Sequence, residues 1–286
     1  MKIILVQYRP AIRLYKWAVT LLEMGYDVTI GYTREVCDGL HWNRFNTIDI
    51  NNITDFSEYD FYISFNPNVL IPYTDTVKVI QAVGDLKSLR NDKKIERDNL
   101  NSSYCNVFIS DAQKEWAVDN LGVDEKKCFV LENGIIDELI GEKKRKLNNR
   151  KVNIVYSGTI TDKEKHHRNI IDELKDIAKN KNIVLHIYPS YVSKLSNITE
   201  SNIKIHKTVS PYELVSELSQ YDYGLLIVAD DIIGNMMLPN KVTDYLSAGL
   251  KILAKPYTQL KEFNEGKDCC IFFKEFKELK TLKKNA

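Results

Sequence analysis

The stretch LPNKVTDYLSAG, Leu238 to Gly249, followed after Leu250 by KILA, Lys251 to Ala254, carries more information than any other in the chain. Val242, Tyr245 and Leu246 recur at spacings of three and four, which puts them on one face of a helix running from Asn240 to Ala248. The apolar run from Lys251 to Ala254 then reads as a strand buried on both faces. Lys241 and Asp244 fall on the opposite, polar side of the helix, where an exposed ion pair of small energetic worth is the ordinary reading. A helix feeding directly into a short buried strand is half of a β-α-β unit, so the neighbouring sequence should alternate in the same way.

It does. Upstream lie apolar runs at Lys151–Tyr156, Ile183–Tyr188, Ile203–His206 and Tyr223–Val228. Helical patterns stand between them, one ending near Lys179 and one starting at Pro211. Ser210-Pro211-Tyr212-Glu213 combines a capping serine, proline at the first helical position and a glutamate that closes the capping box. The amino-terminal half has its own series: strands at Lys2–Gln7, Asp27–Gly31, Thr47–Ile50, Asp60–Phe65, Val77–Val83, Asn106–Ser110 and Lys127–Leu131, with helical patterns after Pro10, near 88–101 and at 111–120. Ser110 with Gln113 reads as a second capping box, and Gly122 as that helix's stop.

Between the two series, GEKKRKLNNRK, Gly141 to Lys151, holds six basic residues and one apolar residue, the mark of a solvated linker. The expectation is an amino-terminal domain over residues 1–140, a linker over 141–151, a carboxy-terminal domain over 152–273 and a helical tail over 274–286. A length of 286 residues agrees, because a single core stops growing near that size. In the tail, Phe272, Phe273, Phe276, Leu279 and Leu282 recur at helical spacing among lysines. This fits a helix docked on a surface of the protein, or one lying on an anionic membrane surface.

Forty basic residues against 39 acidic ones give no general attraction for nucleic acid, and no nucleic-acid partner is expected. The five cysteines show neither CxxC spacing nor an even disulfide set, which favours a reducing, cytoplasmic setting and no metal site. No run approaches the roughly 18 apolar residues of a membrane span.

Ser157-Gly158-Thr159 follows an apolar strand and precedes a helical pattern, a place where backbone amides and a helix dipole can hold a phosphate. Lys163, Lys165, His166, His167 and Arg168 set cations beside it. A glycine turn of this kind is common in α/β proteins, and a solvated helix start is the plain alternative. The adjacent histidines do not share a helix face, which argues against a metal pair.

The order of these segments resembles the GT-B glycosyltransferases, especially the large retaining, family 4-like group of bacterial polysaccharide and lipopolysaccharide enzymes. The likeness rests on VFISDAQKEWAVDNLGV (Val107–Val123), FVLENGI (Phe129–Ile135), IVYSGTI (Ile154–Ile160), PYELVSELSQYDYGLLI (Pro211–Ile227) and LPNKVTDYLSAG. It implies an α/β protein with two Rossmann-like domains, their parallel sheets facing a central donor-binding cleft. The implied reaction is transfer of a sugar from a nucleoside diphosphate sugar to a hydroxyl acceptor, with retention and without metal or other cofactor.

By that resemblance Asp244 binds the ribose hydroxyls, while Leu238, Pro239 and Asn240 border the diphosphate or sugar. Gly158 and Thr159 lie at the donor phosphates, and Val209, just before the capping Ser210, lies in a loop that either touches the base or is an ordinary helix start. Lys165 or Arg168, with Lys241 as a further candidate, would offset the charge developing on the departing diphosphate. Tyr8 and Arg9, in the turn after the first strand, lie on the acceptor side. A lipid-linked acceptor would bring the chain to the inner membrane face as a peripheral protein.

Three positions depart from the group. Met236 stands where the first of its two glutamates is usual, Gln7-Tyr8-Arg9-Pro10 replaces its glycine-rich first turn, and Phe65-Asn66 replaces its histidine. These departures keep two other readings open: a non-catalytic subunit that binds a sugar nucleotide or stabilises a partner, and a sugar-nucleotide epimerase of the same fold.

Overall fold

The computed structural model describes residues 1–34, 39–53, 55–66, 77–84, 86, 89, 93–162, 168–190, 195, 198–229 and 231–284. The chain forms two compact units, Met1–Ile136 and Asp137–Ala286.

In the first unit, β1 (Lys2–Gln7), β2 (Asp27–Tyr32), β3 (Asn46–Asp49), β4 (Phe61–Ser64), β5 (Lys78–Val83), β6 (Cys105–Phe108) and β7 (Cys128–Val130) form one sheet. Their spatial order is β3-β2-β1-β4-β5-β6-β7, and every pairing is parallel. Ile3 to Val6 are buried without alternation, as a strand covered on both faces requires. Helix α1 (Ile12–Glu23) connects β1 to β2 and buries Leu14, Tyr15, Ala18 and Val19. Helices α2 (Lys93–Ser102) and α3 (Asp111–Leu121) follow β5 and β6. The Ser110 hydroxyl caps α3 by accepting from the Gln113 amide at 3.2 Å, and Gly122 ends it at φ 66°. The reciprocal half of the expected box is missing, because the buried Gln113 carboxamide makes no hydrogen bond.

In the second unit, β8 (Val152–Ser157), β9 (Ile183–Tyr188), β10 (Ile203–Ile205), β11 (Tyr223–Leu226), β12 (Lys251–Ala254) and β13 (Cys270–Phe272) are ordered β10-β9-β8-β11-β12-β13, again wholly parallel. Helices α4 (Ile171–Ala178), α5 (Pro211–Leu218), α6 (Asp231–Met236), α7 (Asn240–Ser247) and α8 (Thr258–Asn264) connect the strands. The capping box of Ser210 and Glu213 opens α5 as its sequence requires. Each sheet reverses its strand order at its first strand, between β1 and β4 and between β8 and β11, the doubly wound arrangement whose ligands bind beyond the carboxyl ends of the strands.

The basic run after Gly141 is fastened to the second unit. Lys144 donates its backbone amide to Ser219 Oγ at 2.7 Å, Leu147 its amide to the Gln220 carbonyl at 3.0 Å, and Lys146 Nζ bonds the Tyr221 carbonyl. These partners lie at and just beyond the end of α5, where helix carbonyls are unsatisfied and cations are favoured.

The tail also differs from the single helix its spacing predicts. Phe272 ends strand β13, which pairs with β12, and the helical part is a 3-10 segment, Phe276–Thr281. Pairing with an open sheet edge satisfies the backbone of 270–272 in a way that an isolated helix could not match there. Phe273 and Leu279, each 2% exposed, join the core of the second unit, and the Tyr223 hydroxyl donates to the Lys283 carbonyl at 2.8 Å. Leu279→Ala should therefore cost about 2–5 kcal/mol of stability. Denaturant unfolding in the absence of lipid measures this, and an unchanged midpoint would remove the tail from the core.

Candidate functional site

The carboxyl edge of the second sheet is shaped by two tyrosines. Tyr245, which the sequence places on the apolar face of α7, is fully buried, yet its hydroxyl accepts from the Ser157 amide at 3.0 Å and donates to the Leu225 carbonyl at 3.1 Å. Strands β8 and β11 pair only at Ile154–Tyr223 and Val155–Gly224, and the hydroxyl is interposed where that ladder stops. The ring needs Gly224 beneath it, since a Cβ there would lie 2.4 Å from Tyr245 Cγ. Tyr257 repeats the device one step along. Its hydroxyl bonds both the amide and the carbonyl of Val228 at 2.8 Å, and its ring occupies the space that a side chain at Gly234 would take.

Lys241 turns inward. The polar-face reading fails because its ammonium lies 4.0 Å from the centroid of the buried Tyr156 ring, a cation–π contact that the helix wheel cannot reveal. Burial pushes its pKa down to about 8; Tyr245 and Asp244 oppose that shift and the charge of Arg168 adds to it. Arg168, exposed, thus lies near both Lys241 and Tyr156, whose hydroxyl burial pushes well above its ordinary value. Asp244, part-buried three residues along α7, supplies the opposite charge.

Gly158 follows β8 at φ 129°, a conformation L side chains rarely adopt, and a Cβ there would lie 3.3 Å from Lys241 Nζ. Two of the amides at this turn are already taken. The Gly158 amide donates to the Tyr188 carbonyl at 3.0 Å, Ser157 is bonded to Tyr245, and the next described helix, α4, starts only at Ile171. Gly158 therefore contributes room beside an ammonium, with Thr159 part-buried next to it and its carbonyl accepting from the Tyr156 hydroxyl at 3.3 Å.

Leu238 is 2% exposed, so its side chain belongs to the core and only its backbone can face a ligand. Pro239 is the N-cap of α7 and Asn240 its first residue. Val209 lies part-buried in the loop beyond β10, two strands away from β8 on the same edge. Lys165 lies outside the described residues, as do Lys163, His166 and His167. In the first unit Tyr8 and Arg9 are exposed beyond β1. The Tyr8 amide donates to Asn66 Oδ1 at 2.7 Å, and the Arg34 guanidinium stands over the Tyr8 ring at 4.8 Å. Among the described residues no group of three His, Cys, Asp or Glu side chains could hold a metal ion, and no helix is long and apolar enough to cross a membrane.

Sequence reasoning passed over the hydroxyl of Tyr245, Gly224 and Tyr156. The one available signal was a glycine inside an otherwise apolar strand, which marks a close approach. Gly224→Ala should drive its methyl into the Tyr245 ring and destabilise the unit by about 1–3 kcal/mol, separating Ser157 from Leu225. Thermal unfolding and the exchange rate of the Ser157 amide test this, and wild-type values for both would dismiss the interposed tyrosine as a structural requirement.

No protein-family model and no curated protein sequence matches the chain. Solved structures do. WaaG, a glycosyltransferase involved in lipopolysaccharide biosynthesis, superposes with a TM-score of 0.69 at 11% identity over 97% of this chain and 88% of that one. HepE from Anabaena, solved in complex with UDP-glucose, gives 0.70 at 11% identity over 98% and 88%. Sucrose-phosphate synthase from Thermosynechococcus elongatus gives 0.66 at 10% identity over 98% and 88%. The two wholly parallel, doubly wound sheets and these likenesses together establish that the chain has the fold of the GT-B glycosyltransferase structures.

Proposed function

We propose that the protein is a glycosyltransferase that moves a sugar from a nucleoside diphosphate sugar to a hydroxyl acceptor. The observation that carries this reading is the Lys241 ammonium set beside Gly158 at the strand-order reversal of the second sheet, with Arg168 and Asp244 near enough to act on its charge. Two cations suit a diphosphate and a carboxylate suits a vicinal diol, since its two oxygens accept from two hydroxyls. HepE, similar in fold, was solved with UDP-glucose, which makes that compound the first donor to try.

In the proposed reaction the bond between the anomeric carbon and the diphosphate oxygen breaks while the acceptor oxygen bonds the same carbon on the same face. The acceptor proton passes to the departing phosphate. Lys241 and Arg168 offset the charge that develops there, so the step needs no metal. Asp244 holds the ribose, with the backbone at Leu238, Pro239 and Asn240 and the loop at Val209 completing the donor site. Tyr8 and Arg9 belong to the acceptor side, and Lys165 is a further candidate cation. The setting proposed is cytoplasmic, with peripheral membrane contact if the acceptor is lipid-linked.

Met236, the last residue of α6, favours a second reading, a subunit that binds the donor without transferring it. Product analysis separates the two: transfer yields free nucleoside diphosphate and a glycoside, binding alone yields neither, and an epimerase would yield an isomeric donor.

Lys241 supplies a pH test. With a pKa near 8 it loses its charge as pH rises through that value, whereas a bound diphosphate favours the charged form. UDP affinity should thus fall about tenfold per pH unit above the pKa, with proton uptake on binding. Lys241→Gln should weaken binding at pH 7 and flatten this dependence, and Asp244→Ala should weaken it at every pH without unfolding the protein. Calorimetry from pH 7 to 9.5 measures all three. A pH-independent wild-type affinity would take Lys241 out of the diphosphate site.

A further inference from the structure

Arg13, in the first turn of α1, carries a guanidinium buried at the carboxyl edge of the first sheet. Nη1 donates to the Ala82 carbonyl at 3.1 Å near the end of β5, and the group stands 5.5 Å from the Phe65 ring, just beyond β4, and 5.9 Å from Trp17. Gly84 is shaped to it, because a Cβ there would come within 2.5 Å of Nη1. Nε and Nη2 are both buried and make no hydrogen bond. Those two nitrogens form the side edge of the guanidinium, the fork that takes two oxygens of a carboxylate or phosphate at once. Burial lowers the pKa of Arg13 to about 10, which still leaves it charged at neutral pH. A buried cation with two of its three nitrogens unmatched is costly, and two aromatic rings offset that cost only in part.

We propose that the Nε–Nη2 edge of Arg13 binds an oxyanion group, phosphate or carboxylate, on the acceptor, so that the acceptor is an anionic molecule. Its identification as the acceptor rests on reading the chain as a glycosyltransferase; the anion site itself rests on the geometry alone. Arg13 lies just beyond the strand-order reversal of the first sheet, where an open parallel sheet receives its ligands.

Glucose 6-phosphate, glucuronate, glucose and inorganic phosphate, compared at fixed ionic strength, test the proposal. On the wild-type chain the two anionic sugars should shift the Arg13 Nε–H resonance and bind by calorimetry, while glucose should do neither. Preference between them tells phosphate from carboxylate. Arg13→Gln should weaken their binding about tenfold or more. Arg13→Lys should restore it only in part, because it keeps the charge and loses the fork. Gly84→Ala, which crowds Nη1, should weaken it independently, with UDP-glucose binding unchanged in all three variants. If no nucleoside diphosphate sugar, UDP-glucose first among them, binds the wild type while the anionic sugars still report through Arg13, the glycosyltransferase reading falls and the anion site stands. An Arg13 Nε resonance unmoved by every anion, equal affinity in Arg13→Gln, or a response to inorganic phosphate alone would overturn the proposal. The resonance is read on the wild type, so the outcome does not depend on any variant folding.

Discussion

A single hydroxyl, that of Tyr245, stands where β8 and β11 would otherwise continue to pair. A parallel ladder that ran on past Gly224 would close the end of the sheet. Accepting from Ser157 and donating to Leu225, the hydroxyl satisfies both backbone groups while keeping the strands apart. The rest of the second unit's carboxyl edge follows from this. The Tyr245 ring must lie over a glycine, α7 is thereby fixed against the sheet, and Lys241, one turn before Tyr245, is brought over Tyr156 beside Gly158. A hydrogen bond to a buried backbone group contributes only about 1 kcal/mol, but leaving one unmade costs more, and Tyr245 prevents two such losses.

The two units reach one topology with different edges. In the second, a glycine at positive φ after the first strand makes room for an ammonium. In the first, the turn after β1 has no glycine, and the Asn66 side chain bridges to the Tyr8 amide across the reversal point. Charge there comes from within α1, from Arg13, and the glycine that accommodates it lies beyond β5. Equivalent places in two sheets of the same winding thus carry unlike chemistry, as expected when function resides in side chains set upon a shared frame.

The fold was legible because its signals are local. Apolar runs without alternation marked buried parallel strands, capping residues marked the starts of α3 and α5, and a polar run marked where one series ended. The site was legible only in part. Asp244 and Lys241 were singled out by resemblance, but the inward turn of Lys241 depends on the Tyr156 ring, 85 residues away in sequence. Arg13 left no trace, since its burial is made by Phe65, Ala82 and Gly84, brought together only by the sheet. The tail misled because phenylalanines at helical spacing also suit a strand followed by a tight turn, and an open sheet edge decided between them.

The way the second unit closes bears on how it is made. Its central strand β11 is tied through Tyr223 to the carbonyl of Lys283, and its core includes Phe273 and Leu279. During synthesis the first unit, whose strands all precede Ile136, can fold while the second is still emerging. The second cannot complete its core until residues some sixty positions beyond Tyr223 have left the ribosome. Until then the core that covers β8, β9 and β11 lacks Phe273 and Leu279, so the second unit is completed only at the end of its synthesis.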